Sequence, residues 1–148
     1  MIYPKIIKYK SQEYDEMIAL RHKILREPLS LSFTEQDLQK DKDDFLLALF
    51  MPRTHQMIAC CILTPLDDKI VKLRQMAVDD LVQKSGMGTA MLSFAEYVAV
   101  REGFQSIELN AREIAVGFYQ KYDYKIVRDK FTEVGIPHYG MRKQLKEQ

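Results

Sequence analysis

A chain of 148 residues with 47% hydrophobic content can build a sizeable core and predicts one domain over residues 1–148. Charged residues make up 29%, yet the net charge is only +1 and Lys and Arg are scattered, so no field favours nucleic acid or an anionic membrane. The longest apolar runs, FLLALFM and MIACCIL, fall far short of the ~18 residues that span a bilayer, and MIYPKIIKYK reads as a strand rather than a secretion signal. A cytoplasmic protein is expected.

IYPKIIKY predicts the first strand. SQEYDEMIALRHKILRE follows as a helix with Ser11 as N-cap, acids in its first turn and Tyr14, Met17, Ile18, Ile24 and Leu25 along one side, and Pro28 ends it. FTEQDLQK forms a short second helix capped by Thr34, and the charged stretch DKDD reads as a polar, mobile loop leading into the strand FLLALF. QMIACCILTPL and KIVKLRQMAV read as two strands joined by PLDD, whose proline and acids supply turn chemistry. In the second of them Val71, Leu73 and Ala77 share a face that Gln75 interrupts, and a polar residue there must find a partner or a ligand.

From Gly88 to Glu102, Met91, Phe94, Ala95, Val98 and Ala99 form a wide apolar helical stripe, closed by Gly103 as C-cap. SIELNA is then a strand, REIAVGFYQKY a helix, and YKIVRDKF and PHYGMRKQL two strands around the turn TEVG. The order β-α-α-β-β-β-α-β-α-β-β mixes an antiparallel meander with strand–helix–strand units, and predicts an α/β sandwich around a central mixed sheet. Cys60 and Cys61, adjacent in a strand, point to opposite faces and read as reduced core residues. His22, His55 and His138 show no metal-ligand spacing, and no metal site is expected.

The turn QKSGMGTA, Gln83 to Ala90, joins a strand to the main helix. Backbone N–H groups at a helix start lack intrahelical partners and converge where the dipole is positive, so an anion is attracted there. Gly86 and Gly88 permit positive φ and a close approach to the backbone. The nucleotide-hydrolase loop does not fit, because Thr89 and Ala90 follow Gly88 where Lys and Ser or Thr are required. The dinucleotide fingerprint lacks its third glycine.

QKSGMG matches the Gln/Arg-x-x-Gly-x-Gly/Ala signature of the GNAT superfamily of acyl-CoA N-acyltransferases, and it follows LRQMAV, which resembles that family's preceding strand. AVGFYQKYDY resembles the family's Ala-x-x-Phe-Tyr-x-Lys-x-Gly-Phe element. LRHKILREPL and EVGIPHYGMRK are similar to the first helix and the ending of small ElaA-like bacterial members. This resemblance implies the GNAT fold and acetyl-CoA as acyl donor. The pyrophosphate would lie on the N–H groups of Gln83, Lys84, Ser85, Gly86, Met87, Gly88 and Thr89, and the pantetheine arm would pair with the backbone of Met76, Ala77 and Val78. It implies a bulge in that strand, an oxyanion donor at or near the Met76 N–H, and Tyr119 as the general acid for the leaving thiolate.

Read without the family, Tyr119 is an amphipathic helix residue with a bonded hydroxyl, and Phe118 and Tyr122 are core aromatics, with Phe118 lining the cofactor slot as a second role. Arg112 stands where many members have an asparagine that holds the pantetheine arm, and Asn110 is the substitute. Asp123 replaces a glycine and tolerates the left-handed turn. The strand glutamate that serves many members as base has no counterpart among Lys72, Arg74 and Gln75, and Glu108 and His138 are candidates that also read as solvated or structurally bonded.

The expected reaction is acetylation of a primary amine of a small molecule or peptide, bounded by Arg26 to Phe33 and by His138, with Glu27, Glu35 and Asp37 as acids that could attract a cationic amine. A non-catalytic acyl-CoA sensor is the other reading. Aromatic and methionine content leaves material for a homodimer.

Overall fold

The structure is a computed structural model that describes residues 1–83 and 85–146. The strands are β1 (Tyr3–Ile7), β2 (Phe45–Phe50), β3 (Met57–Pro65), β4 (Ile70–Val78), β5 (Ser106–Arg112), β6 (Lys125–Glu133) and β7 (Ile136–Gln144). The helices are α1 (Gln12–Arg21), α2 (Glu35–Gln39), α3 (Met87–Arg101) and α4 (Val116–Lys121). The seven strands form a mixed sheet in the order β1-β2-β3-β4-β5-β7-β6. The element order expected from the sequence is the one observed.

Two compact units make up the chain: Met1–Thr64 with Leu73–Tyr97, and Pro65–Lys72 with Val98–Gln148. In the first unit β1 and β2 pair antiparallel, as do β2 and β3. The continuous apolar runs of β2 and β3 are buried nearly throughout, as befits strands covered on both faces. Tyr14, Met17 and Leu20 of α1 pack in one cluster with Leu46, Phe50, Cys60, Ile62 and Ala77. Ser11 caps α1 by accepting from the Tyr14 N–H at 3.1 Å. The α-helical part stops earlier than the apolar pattern suggests: His22–Arg26 is a π turn and Glu27–Leu29 a 3₁₀ turn holding Pro28.

In the second unit Ile70–Lys72 of β4 run parallel to Ser106–Glu108 of β5, and β5 and β6 both pair antiparallel with β7. Asp67 closes the turn before β4, accepting from the N–H groups of Lys69 and Ile70 at 2.7 Å each. These two backbone bonds hold its carboxyl below the usual value. Gly103, φ +91, ends α3, with the Phe104 N–H returning to the Ala99 carbonyl at 2.9 Å. Ile107, Leu109, Ala111, Tyr124 and Met141 are buried here.

Candidate functional site

Met76, Ala77 and Val78 end β4 in the first unit, and the chain reaches α3 through a 3₁₀ turn at Asp80–Val82. Asp79 holds that turn by accepting from the Leu81 N–H at 3.0 Å. Gln83 Nε2 donates to the Val78 carbonyl at 2.9 Å, and Ser85 Oγ donates to the Val82 carbonyl, so both polar side chains fold back on the turn. Gly86 has φ +86, a conformation that favours glycine, and a Cβ built there would meet nothing within 4 Å. The Ala90 N–H bonds the Gly86 carbonyl at 3.0 Å, which puts Gly86 at the cap position of α3 and Met87, Gly88 and Thr89 in its first turn. A Ser, Thr, Asp or Asn at the cap would spend its side-chain oxygen on the N2 or N3 N–H, whereas glycine brings no side chain to the turn. The N–H groups of Gln83 and Ser85, expected among the anion donors, bond the Asp80 and Val82 carbonyls at 3.4 and 3.3 Å. Lys84 lies outside the described residues.

Immediately before Met76, Gln75 has φ +57 in the middle of the strand. Left-handed backbone at a non-glycine residue costs about 1–2 kcal/mol, and in a strand it turns the side chain off the regular alternation. Its Oε1 is buried with no hydrogen-bond partner among the described residues. Next to it, Arg74 is anchored at two nitrogens: Nε donates to Thr64 Oγ1 at 2.8 Å, and Nη2 donates to Asp41 at 2.7 Å and Asp44 at 2.9 Å. Asp41 also accepts from Arg21 Nη1 at 2.8 Å and from the Tyr14 hydroxyl at 2.7 Å. Burial, reinforced by that bond to Asp41, pushes the Tyr14 phenol well up. Phe33 lies over the guanidinium groups of both Arg21 and Arg26, at 4.5 and 4.6 Å. Thus DKDD is not the mobile loop its composition suggests, because Asp41 has no solvent exposure.

In the second unit Tyr119 sits on the short helix α4, its ring edge-on to Tyr124 at 5.6 Å and to Phe118 at 5.1 Å. It is buried, while Phe118 and Tyr122 are half-buried. The Asn110 oxygen accepts from Arg128 Nη2 at 2.8 Å. Arg128 crosses Gly140 to reach it; a Cβ at Gly140 would collide with the guanidinium. Glu108 pairs with Arg142 directly across the β5–β7 ladder and lies near Arg128. His138 Nδ1 meets the Ile136 carbonyl at 2.8 Å and Nε2 lies 3.7 Å from Glu133. Asp37 closes a capping box with Thr34 at the start of α2, which lowers its pKa, and Glu27 and Glu35 are exposed.

A family model described as "Acetyltransferase (GNAT) domain" matches residues 19–145. The chain belongs to the GNAT acetyltransferase family. YyaT from Bacillus subtilis (strain 168) is 35% identical over 74 residues; the match covers 50% of this chain and 50% of YyaT, so this chain spans about half the length of that relative. Escherichia coli ElaA has the same fold, with a TM-score of 0.82 at 18% identity over 97% of this chain and 100% of its own. So does a GNAT family acetyltransferase from Elizabethkingia anophelis solved with acetyl-CoA bound, with a TM-score of 0.72 at 18% identity over 97% of this chain and 98% of its own.

Where the GNAT pattern has glycine after the Tyr-bearing helix, Asp123 adopts φ +73, so the left-handed turn survives the exchange. The left-handed residue of β4 is Gln75, in the strand where the resemblance implied a bulge, and the residues themselves showed it only as a polar side chain breaking an apolar face. Arg21 showed only by its position, four residues after Met17 on the buried side of α1.

Proposed function

We propose that this chain transfers an acetyl group from acetyl-CoA to a primary amine of a small molecule or peptide, by direct attack of the amine. The observation that carries this reading is the Gly86-capped start of α3, where the positive end of the helix dipole meets a turn with no cap side chain, in a chain of the GNAT family. The bound acetyl-CoA of the Elizabethkingia structure supports the choice of donor. The residues present fit it: the N–H groups of Gly86, Met87 and Gly88 at the start of α3 would hold the pyrophosphate with the helix dipole behind them, and Gln83 and Ser85 lie on the turn that leads to it. Met76, Ala77 and Val78 offer a strand backbone to the amide-bearing arm.

Acetyl-CoA supplies an activated thioester. The amine nitrogen bonds to the carbonyl carbon while the carbon–sulfur bond breaks. The Met76 N–H is the donor for the charge gathering on the carbonyl oxygen. Tyr119 gives its hydroxyl proton to the departing sulfur and regains one from water, and the proton lost by nitrogen goes to water. Asn110 and Phe118 would flank the arm, although Asn110 must share its oxygen with Arg128. Glu108 and His138 are held by ion-pair and backbone partners, which supports a structural part for both.

The test is thiol release from acetyl-CoA with n-alkylamines, a polyamine, a lysine peptide and peptides with free N-termini. At least one amine should accelerate release well above hydrolysis. Tyr119→Phe should lower kcat by about 10²-fold or more, the range for a lost proton donor, with the KM for acetyl-CoA little changed. If CoA binds and no amine is turned over, the chain is an acyl-CoA sensor instead.

A further inference from the structure

Gln75 carries two unfavourable features at one residue: left-handed backbone and a buried, unpaired carboxamide oxygen. Strain of this kind persists only where the surroundings impose it, and it gathers at functional sites. Here the surroundings are identifiable. Arg74 on one side is anchored by Thr64, Asp41 and Asp44, and Ala77 on the other belongs to the cluster with Tyr14, Met17 and Leu20 of α1. With both flanks fixed, Gln75 is held at positive φ, and its buried oxygen has no donor among the described residues.

We infer that Gln75 Oε1 is the hydrogen-bond acceptor that seats the acceptor amine. The inference rests on the acyl-transfer reading above and goes beyond it by naming the residue that recognises the nucleophile. An unpaired acceptor oxygen calls for an N–H or O–H. The acetyl group has none. The pantetheine arm has amide N–H groups, but an added strand spends them on backbone carbonyls of the strand it joins. The amine remains. Held by one N–H, it keeps its lone pair free to form the new carbon–nitrogen bond. A neutral carboxamide suits this better than a carboxylate, because a nearby negative charge favours the ammonium form, which has no lone pair to offer. Gln75 therefore specifies a neutral amine bearing at least one N–H.

The test uses the full chain and the best amine of the panel above. Gln75→Met keeps length and removes the acceptor; Gln75→Gly removes the side chain while suiting the positive φ. Both should raise the KM for the amine about tenfold, the worth of roughly one hydrogen bond, and leave the KM for acetyl-CoA within about twofold. The Gln75→Gly variant should melt no lower than the native chain, a result that separates binding of the amine from support of the fold. An unchanged amine KM with turnover intact overturns the inference. So does a rise confined to the acetyl-CoA KM, which would assign the carboxamide to the arm. Absence of turnover with every amine in the native chain is a different result: it removes the acyl-transfer reading, and this inference with it.

Discussion

Asp41 shows how far a residue's surroundings can depart from its local composition. Its carboxylate, flanked in sequence by Lys40 and Lys42, takes Arg21 and Tyr14 from 20 and 27 positions upstream and Arg74 from 33 positions downstream. Removing one member of such a set strands the opposite charge without water, which costs about 3–5 kcal/mol. Asp41→Ala is therefore expected to lower stability by about that amount in urea unfolding, with Arg21 left as an uncompensated buried cation. Arg21→Met with Asp41→Leu should cost less than the sum of the two single changes, because the pair is coupled. None of this was legible in the sequence: charge pairing can be read at helical spacing, three or four residues apart, and these partners meet only after the sheet has formed. The helix that carries Tyr119 was legible for the opposite reason, since its residues form one contiguous motif.

At the scale of elements, periodicity carried most of the fold. The stripe from Met91 to Ala99 became α3, and the paired apolar runs became β2 and β3. What periodicity missed are departures from regular geometry: the π and 3₁₀ turns after α1, and the left-handed residue Gln75 in β4. A second departure sits in the β6–β7 turn, where Val134 has φ +47 beside Gly135 at φ +75. Both central residues of such a hairpin need positive φ, and a β-branched residue resists it. Val134→Asn should stabilise the chain by about 0.5–1 kcal/mol, read as a higher urea midpoint with unchanged slope. Gly86 poses the reverse case, because φ +86 suits glycine and the space around it is open. Gly86→Asn tolerates that backbone and keeps the fold, yet places a side chain over the α3 donors. CoA affinity by calorimetry should fall about tenfold or more, and retained affinity would remove the phosphate role from this turn.

For the whole molecule, the pH limits of stability follow from which groups folding perturbs. Burial pushes the Cys60 thiol up to about 12 from an ordinary 9.0, and raises Cys61 well above the same value. The Tyr14 phenol rises, mainly by burial. Lys5 and Lys130, both exposed, rise through bonds to Glu13 and Glu113. All five bind their protons more tightly when folded, so between the unfolded and folded values the unfolded chain holds fewer protons and stability falls as pH rises. The contribution of Cys60 is intact below pH 9.0 and is lost progressively toward about 12, and that of Cys61 is likewise intact below 9.0 and lost above it. Asp37 and Asp67 are lowered instead by backbone hydrogen bonds, so their contribution is present above 3.8 and fades as pH falls below it. Because Asp67 is exposed and Asp37 only half-buried while the thiols are fully buried, the alkaline limb should be the steeper. Urea midpoints measured from pH 3 to pH 11 should decline more sharply above pH 9 than below pH 4. At pH 8 both thiols should resist a disulfide reagent in the native chain and react once urea exposes them; a native thiol that reacts at once would place Cys60 or Cys61 outside the core and flatten the expected alkaline decline.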